Sequence, residues 1–106
     1  MLKSIRYIKV IYKGLSEKLK KIEFNDNKNI IHTRLKQIRK EKHISQSELA
    51  SKLQVCNINI DQQMISKIEK NMRQVTDYEL ACICKCLNVP LDLMLQDFDK
   101  YCEFTK

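Results

Sequence analysis

The chain has 106 residues, 43% hydrophobic and 31% charged, with one Gly, one Pro and a formal net charge of +7. That supplies one modest core, carries too much charge for a membrane protein, and contains no run near the roughly 18 apolar residues that span a bilayer. The charge is uneven: residues 1–24 hold seven basic and two acidic side chains, residues 25–60 seven and three, and residues 61–106 six and eight. A basic front suits a polyanion, although charge alone fits an acidic protein or an anionic lipid equally well.

The scarcity of Gly and Pro predicts a mostly helical chain. Residues 2–24 place Ile5, Ile8, Tyr12, Leu15, Leu19 and Ile22 at alternating spacings of three and four, a single helical stripe. Such a stripe can dimerise, pack on the rest of the chain, or lie on a membrane surface. Arg6 and Lys9 interrupt what would be the apolar stretch of a secretory signal. Phe24–Asn29, FNDNKN, reads as a turn or linker, because Asn and Asp compete for backbone hydrogen bonds.

A basic helix is expected from about Ile30 to Lys42, burying Ile31, Leu35 and Ile38. After a break at His43-Ile44, Ser45 and Glu48 form a reciprocal capping box that opens a helix with Leu49, Ala50 and Leu53 inward, ending near Gln54. Val55–Ile60 then forms a loop tucked under by its branched side chains. Asp61 is suited to cap a short helix with Ile65 and Ile68 inside and Lys67 and Lys70 outside. Thr76 and Glu79 make a second capping box for a helix through Leu80, Ile83, Cys84 and Leu87 that Asn88 ends. Pro90 precedes a small last helix carrying Leu91, Met94 and Leu95. The tail, with Phe98, Tyr101 and Phe104 at three-residue spacing, is either one more packed turn or an exposed end.

Residues 31–95 resemble the lambda-repressor-like, Cro/C1-type (XRE-like) helix-turn-helix family. The resemblance rests on RLKQIRKEKHISQSELA and ISKIEKN, followed in order by ELACICKCLNVPLDLML. The connection LQVCNINIDQQM is longer than the family's usual turn and is similar to that of a subgroup of bacterial regulators that share VTDYEL. The resemblance implies an all-α, compact five-helix domain at residues 29–96. The basic amphipathic helix and linker at 1–28 precede it, and a short tail at 97–106 follows.

It also implies that the helix beginning after Asp61 enters the DNA major groove while the preceding helix crosses the backbone. Gln62, Gln63, Met64 and Lys67 are then the base-reading candidates: Gln pairs with adenine, Met meets a thymine methyl, and Lys reaches guanine or phosphate. Arg39, Lys40, Lys42, Ser45, Gln46, Ser47, Lys70 and Arg73 are the backbone candidates, with Gln46 either on phosphate or bracing a side chain of the reading helix. Two departures stand out. Asp61 replaces the family's usual Ser, and Gln62 stands where Arg is common, which makes a basic N-terminal arm more useful. The expected partner is double-stranded DNA carrying a palindromic operator. The protein would bind it as a homodimer and act as a transcriptional repressor. The alternative is a protein-interaction module such as an antitoxin that also binds its own promoter.

Other chemistry is not expected. His32 and His43 have no evident nucleophile, and no HExxH, glycine-rich phosphate loop or carboxylate pair on a shared face occurs, so no enzyme and no cofactor is expected. The odd set Cys56, Cys82, Cys84, Cys86 and Cys102 fits reduced thiols in a cytoplasm. Cys84 points away from Cys82 and Cys86 on a helix, and core packing is the leading reading; a thiol switch or a metal site is the alternative.

Overall fold

The computed structural model describes residues 23–101. They form five α-helices: α1 His32–Glu41, α2 Gln46–Val55, α3 Gln62–Glu69, α4 Asp77–Leu87 and α5 Leu91–Met94, followed by a 3₁₀ turn at Gln96–Tyr101. The all-α, five-helix expectation holds. Helix α2 packs against both α3 and α4, and α1 packs against α3.

Helix starts follow the local chemistry. The Ser45 hydroxyl accepts from the Glu48 amide at 3.0 Å, and the Ser45 amide donates back to Glu48 Oε1 at 3.4 Å. Thr76 and Glu79 repeat the arrangement on α4. Asp61 Oδ1 accepts from the Met64 amide at 2.9 Å, so α3 begins at Gln62. Helix α1 starts later than the hydrophobic pattern suggests, because the Asn29 side chain accepts from the Ile31 amide at 3.1 Å and fixes the chain just outside the helix. Each such cap is worth about 1 kcal/mol.

Helix ends share one device. His43, Asn57, Asn71 and Asn88 all take left-handed backbone angles, with φ of 58°, 62°, 61° and 55°. At each end the amide of that residue and the next reach back to carbonyls of the last turn. His43 donates to Lys40 and Ile44 to Arg39; Asn71 donates to Ile68 and Met72 to Lys67. This is the Schellman pattern, in which the following apolar residue packs back onto the helix. Ile44, Ile58 and Val89 do so, whereas Met72 stays exposed.

The core gathers Ile31, Leu35 and Ile38 with Leu49, Ala50, Leu53, Ile60, Ile65, Ile68, Ile83, Cys84, Leu87 and Met94. Burying each larger side chain contributes roughly 1.5–3 kcal/mol. In the long α2–α3 connection, Ile60 is fully buried and Ile58 half-buried, which tucks the loop under as its branched residues suggest. Val55 is the exception, at 86% exposed.

Two segments outside the helices are also built in. Asn25 and Asp26, with φ of 49° and 64°, make a two-residue turn that Phe24 and Asn27 close with reciprocal backbone bonds of 2.8 and 2.9 Å. Asn29 then donates to the carbonyls of Ile68 and Arg73, and Asn71 Oδ1 accepts from the Lys28 and Asn29 amides. The approach to α1 is thus fastened to the end of α3. At the other terminus, Asp97 pairs with Arg34 at 2.8 Å and Lys100 at 3.3 Å, so the 3₁₀ turn packs on α1. Of the two readings of the tail, a further packed turn is the one observed through Tyr101. Among the described residues no helix is long and apolar enough to cross a membrane. The stripe Ile5, Ile8, Tyr12, Leu15, Leu19 and Ile22, like Cys102 and Phe104, lies outside the described residues.

Candidate nucleic-acid interface

Helix α3 has an inner and an outer face. Ile65 and Ile68 are fully buried, and a period of 3.6 puts Gln63, Lys67 and Lys70 on the side opposite them. Gln62, Gln63, Lys67 and Lys70 are all exposed. Ser66, one turn after Gln62 and flanking that outer face, is half-buried and adds a hydroxyl that the spacing of Gln62 and Ser66 alone makes legible in the sequence. Met64 departs from expectation: it is half-buried and packs against the core, because its position lies at the edge of the Ile65–Ile68 face. Its side chain is therefore not among the freely projecting groups.

The orientation of α3 is held by a charged lock that the sequence reading did not contain. Arg39 on α1 donates Nε to Glu69 Oε2 at 2.7 Å and Nη2 to Glu69 Oε1 at 2.9 Å. Its third nitrogen donates to the Ile44 carbonyl at 3.0 Å, in the turn between α1 and α2. Gln46, first residue of α2, donates Nε2 to the same Glu69 Oε1 at 3.0 Å. One carboxylate at the end of α3 thus ties together α1, the α1–α2 turn and the start of α2. Side-chain exposure is 10% for Arg39 and 3% for Glu69. The hydrogen bonds to Glu69 raise the Arg39 pKa further above its ordinary value, against the opposing effect of burial.

This geometry revises the expected backbone contacts. Arg39 is not at the surface: all three guanidinium nitrogens are bonded within the protein, which removes it from a phosphate clamp and makes it a positioning residue. Gln46 takes the second of its two expected roles and braces Glu69. Arg73 turns inward, with Nη2 3.1 Å and Nη1 3.2 Å from the Glu79 carboxylate and Nη1 also on the Gln74 carbonyl. Glu79 receives that pair while capping α4. Burial pushes its pKa up, and the bonds from Arg73 and the Thr76 amide outweigh burial and leave it lowered. Lys40, Lys42, Ser45 and Ser47 remain exposed beside the start of α2, where helix amides favour an anion. Among the described residues, no ion pair engages Lys40, Lys42, Lys67 or Lys70.

The arrangement is a short, capped helix of polar and cationic outer side chains, buttressed by a second capped helix across a fixed angle. A family model described as helix-turn-helix matches residues 35–94. The chain belongs to this helix-turn-helix family, of Cro/C1-like type. No curated protein matches the sequence. The matched residues run from Leu35 in the middle of α1 to Met94 at the end of α5.

The thiols stand apart from this face. Cys84 is buried, as core packing requires, and burial raises its pKa. Cys56 is exposed at the end of α2, while Cys82 and Cys86 are half-buried on α4. Burial and the neighbouring Cys56 and Cys82 thiols push Cys86 up to about 11, with Lys52 opposing.

Proposed function

We propose that this helix-turn-helix protein binds double-stranded DNA sequence-specifically by inserting the outer face of α3 into the major groove. The observation that carries the reading is the joint exposure of Gln62, Gln63, Lys67 and Lys70 on a helix whose pose the Arg39–Glu69–Gln46 lock fixes. The major groove is about 12 Å wide and admits one helix. It presents adenine N6 and N7 to a glutamine amide, and guanine O6 and N7 to a lysine. Lys40, Lys42 and the first turn of α2 supply contacts to phosphate, which position the protein without reading sequence. Asp61 sits at the entry to the reading helix, where its carboxylate is tied to the Met64 amide and so held back from the phosphates.

The regulatory outcome we propose is repression, since occupancy of a promoter site needs no part beyond the binding face. Two copies related by a twofold axis would present their α3 helices one DNA turn apart, about 34–36 Å, on a palindromic site.

Selection of bound duplexes from a random pool, followed by footprinting, tests the reading. Gln62→Ala and Gln63→Ala are expected to lose about 1–3 kcal/mol of discrimination at particular base pairs. Lys40→Ala and Lys42→Ala are expected to weaken every sequence alike and to lower the salt slope by about one each. Uniform losses from all four substitutions, or no enriched sequence, would sink the assignment of α3 as the reading helix.

A further inference from the structure

Thiols converge where the end of α2 meets the last turns of α4. The two helices pack together, and the fully buried Leu53 of α2 and Ile83 of α4 belong to one core. Cys56 follows Leu53 by three residues and Cys86 follows Ile83 by three, so each thiol flanks that contact from its own side. There the Cys86 thiol lies within hydrogen-bonding reach of the Cys56 thiol, with Cys82 and the Lys52 ammonium also close by. Exposure separates them: Cys56 is open to solvent, Cys82 and Cys86 are half-buried, and Cys84 is enclosed by the core.

We propose that Cys56 and Cys86 are a reversible disulfide-forming pair, oxidised by a low-molecular-weight disulfide such as oxidised glutathione. Exposure sets the order of events. The Cys56 thiol gives its proton to water, and its thiolate attacks one sulfur of the small disulfide. A mixed disulfide forms on Cys56, the reagent's S–S bond breaks, and the departing thiolate takes up a proton. Cys86 then gives up its own proton and attacks the Cys56 sulfur, which breaks the mixed disulfide and releases the second small thiol. Two protein thiols are oxidised, and one small disulfide is reduced to two thiols. Burial keeps Cys86 protonated, which makes it a poor first attacker. Its contact with Cys56 makes it the resolving thiol, because an attacking group already in place needs no encounter.

The backbone leaves room for the bond. Contact between thiols must contract to an S–S distance of about 2.05 Å. Cys56 is the C-cap of α2, one residue past its last helical position and one before the left-handed Asn57. The adjustment therefore falls on a helix end, where the ladder of backbone bonds is already finished. The closed bond encloses residues 57–85, a covalent ring that contains the whole of α3. The inference is independent of the DNA-binding reading, since neither thiol belongs to the outer face of α3.

Incubation of the reduced full chain in mixtures of reduced and oxidised glutathione, with an acid quench and alkylation, tests the proposal. Trypsin separates the thiols, because Cys56 falls in peptide 53–67, Cys82 and Cys84 in 74–85, Cys86 in 86–100 and Cys102 in 101–106. The expected product joins 53–67 to 86–100 within one chain, exceeds every other pairing several-fold, and disappears when reduced glutathione is restored. Urea is expected to abolish that preference, since the pairing depends on the folded contact between α2 and α4. Cys86→Ser is expected to halt Cys56 at the mixed disulfide, whereas Cys82→Ser leaves the product unchanged. A wild-type chain that stops at the mixed disulfide, or that joins Cys56 chiefly to Cys82, to Cys102 or to a second chain, would overturn the proposal. The same pairings in urea as in buffer would overturn it equally.

Discussion

Removing the Arg39 side chain separates two roles that sequence alone cannot distinguish. Arg39→Ala strips Glu69, whose side chain is 3% exposed, of both its arginine bonds and leaves Gln46 as its remaining donor. Breaking a buried pair from one side costs about 3–5 kcal/mol, because the surviving charge stays desolvated. A small domain has about 5–15 kcal/mol in total. With a urea slope of about 1–3 kcal/mol/M, the unfolding midpoint should fall by about 1–5 M at unchanged slope. Replacing both partners, as Arg39→Met with Glu69→Leu, removes the stranded charge and should recover most of that loss. The two single variants and the double variant form a cycle, and its coupling should exceed 1 kcal/mol. DNA titrations at several salt concentrations complete the assay. A phosphate clamp would take about 0.9 from the salt slope when removed, whereas a lock changes affinity and leaves the slope alone. If Arg39→Ala costs under 1 kcal/mol and lowers the slope by nearly one, Arg39 is a clamp and the lock is not what fixes α3.

Two further outcomes follow from the titrating groups. With its pKa near 11, Cys86 holds about 100-fold less thiolate at pH 8 than an ordinary thiol. It should react with iodoacetamide markedly more slowly than an ordinary thiol in a timed mass-spectrometric series, and labelling at the rate of a free thiol would contradict the burial described. Arg34, followed by Lys100, holds the Asp97 carboxyl below its usual range, and Glu79 is likewise lowered on balance. A lowered folded-state pKa adds stability that is complete above the ordinary carboxylate range and is lost as the pH falls through the folded value. Urea midpoints should therefore drop as the pH falls below the ordinary carboxylate range, and Asp97→Asn should flatten that fall; identical pH profiles for the two proteins would refute it.

The parts legible in the sequence are those governed by near neighbours. Ser45 with Glu48, Thr76 with Glu79, and Asp61 with Met64 act over three residues, so composition and spacing suffice to place three helix starts. The outward set Gln63, Lys67 and Lys70 follows from the period of Ile65 and Ile68 in the same way, with the exposed Gln62 flanking it. Met64 falls at the margin of that period, where packing rather than spacing decides. The lock needed a different inference. Arg39 follows Leu35 by four residues, and Glu69 follows Ile65 by four, so each charge sits on the buried side of its helix. Two opposite charges so placed on neighbouring helices carry a signal that they meet, but only once α1 and α3 are known to touch. The Arg34–Asp97 pair and the Phe24–Phe98 stack join positions at opposite ends of the domain, and no local rule reaches that far.

The six left-handed residues among those described, none of them glycine, bear on how this chain behaves before it folds. Asn25, Asp26, His43, Asn57, Asn71 and Asn88 accept roughly 1–2 kcal/mol of local strain each, somewhat eased for Asn and Asp by their short polar side chains. In return the disordered ensemble has fewer conformations to surrender, since a glycine at each site would enlarge it by about 0.4–1 kcal/mol of entropy. Asn71 and Asn25 also spend their side chains on distant backbone, which a glycine has no means to do. The reversals between helices are consequently points of chain stiffness, and the order in which the helices assemble is constrained at the corners as much as in the core.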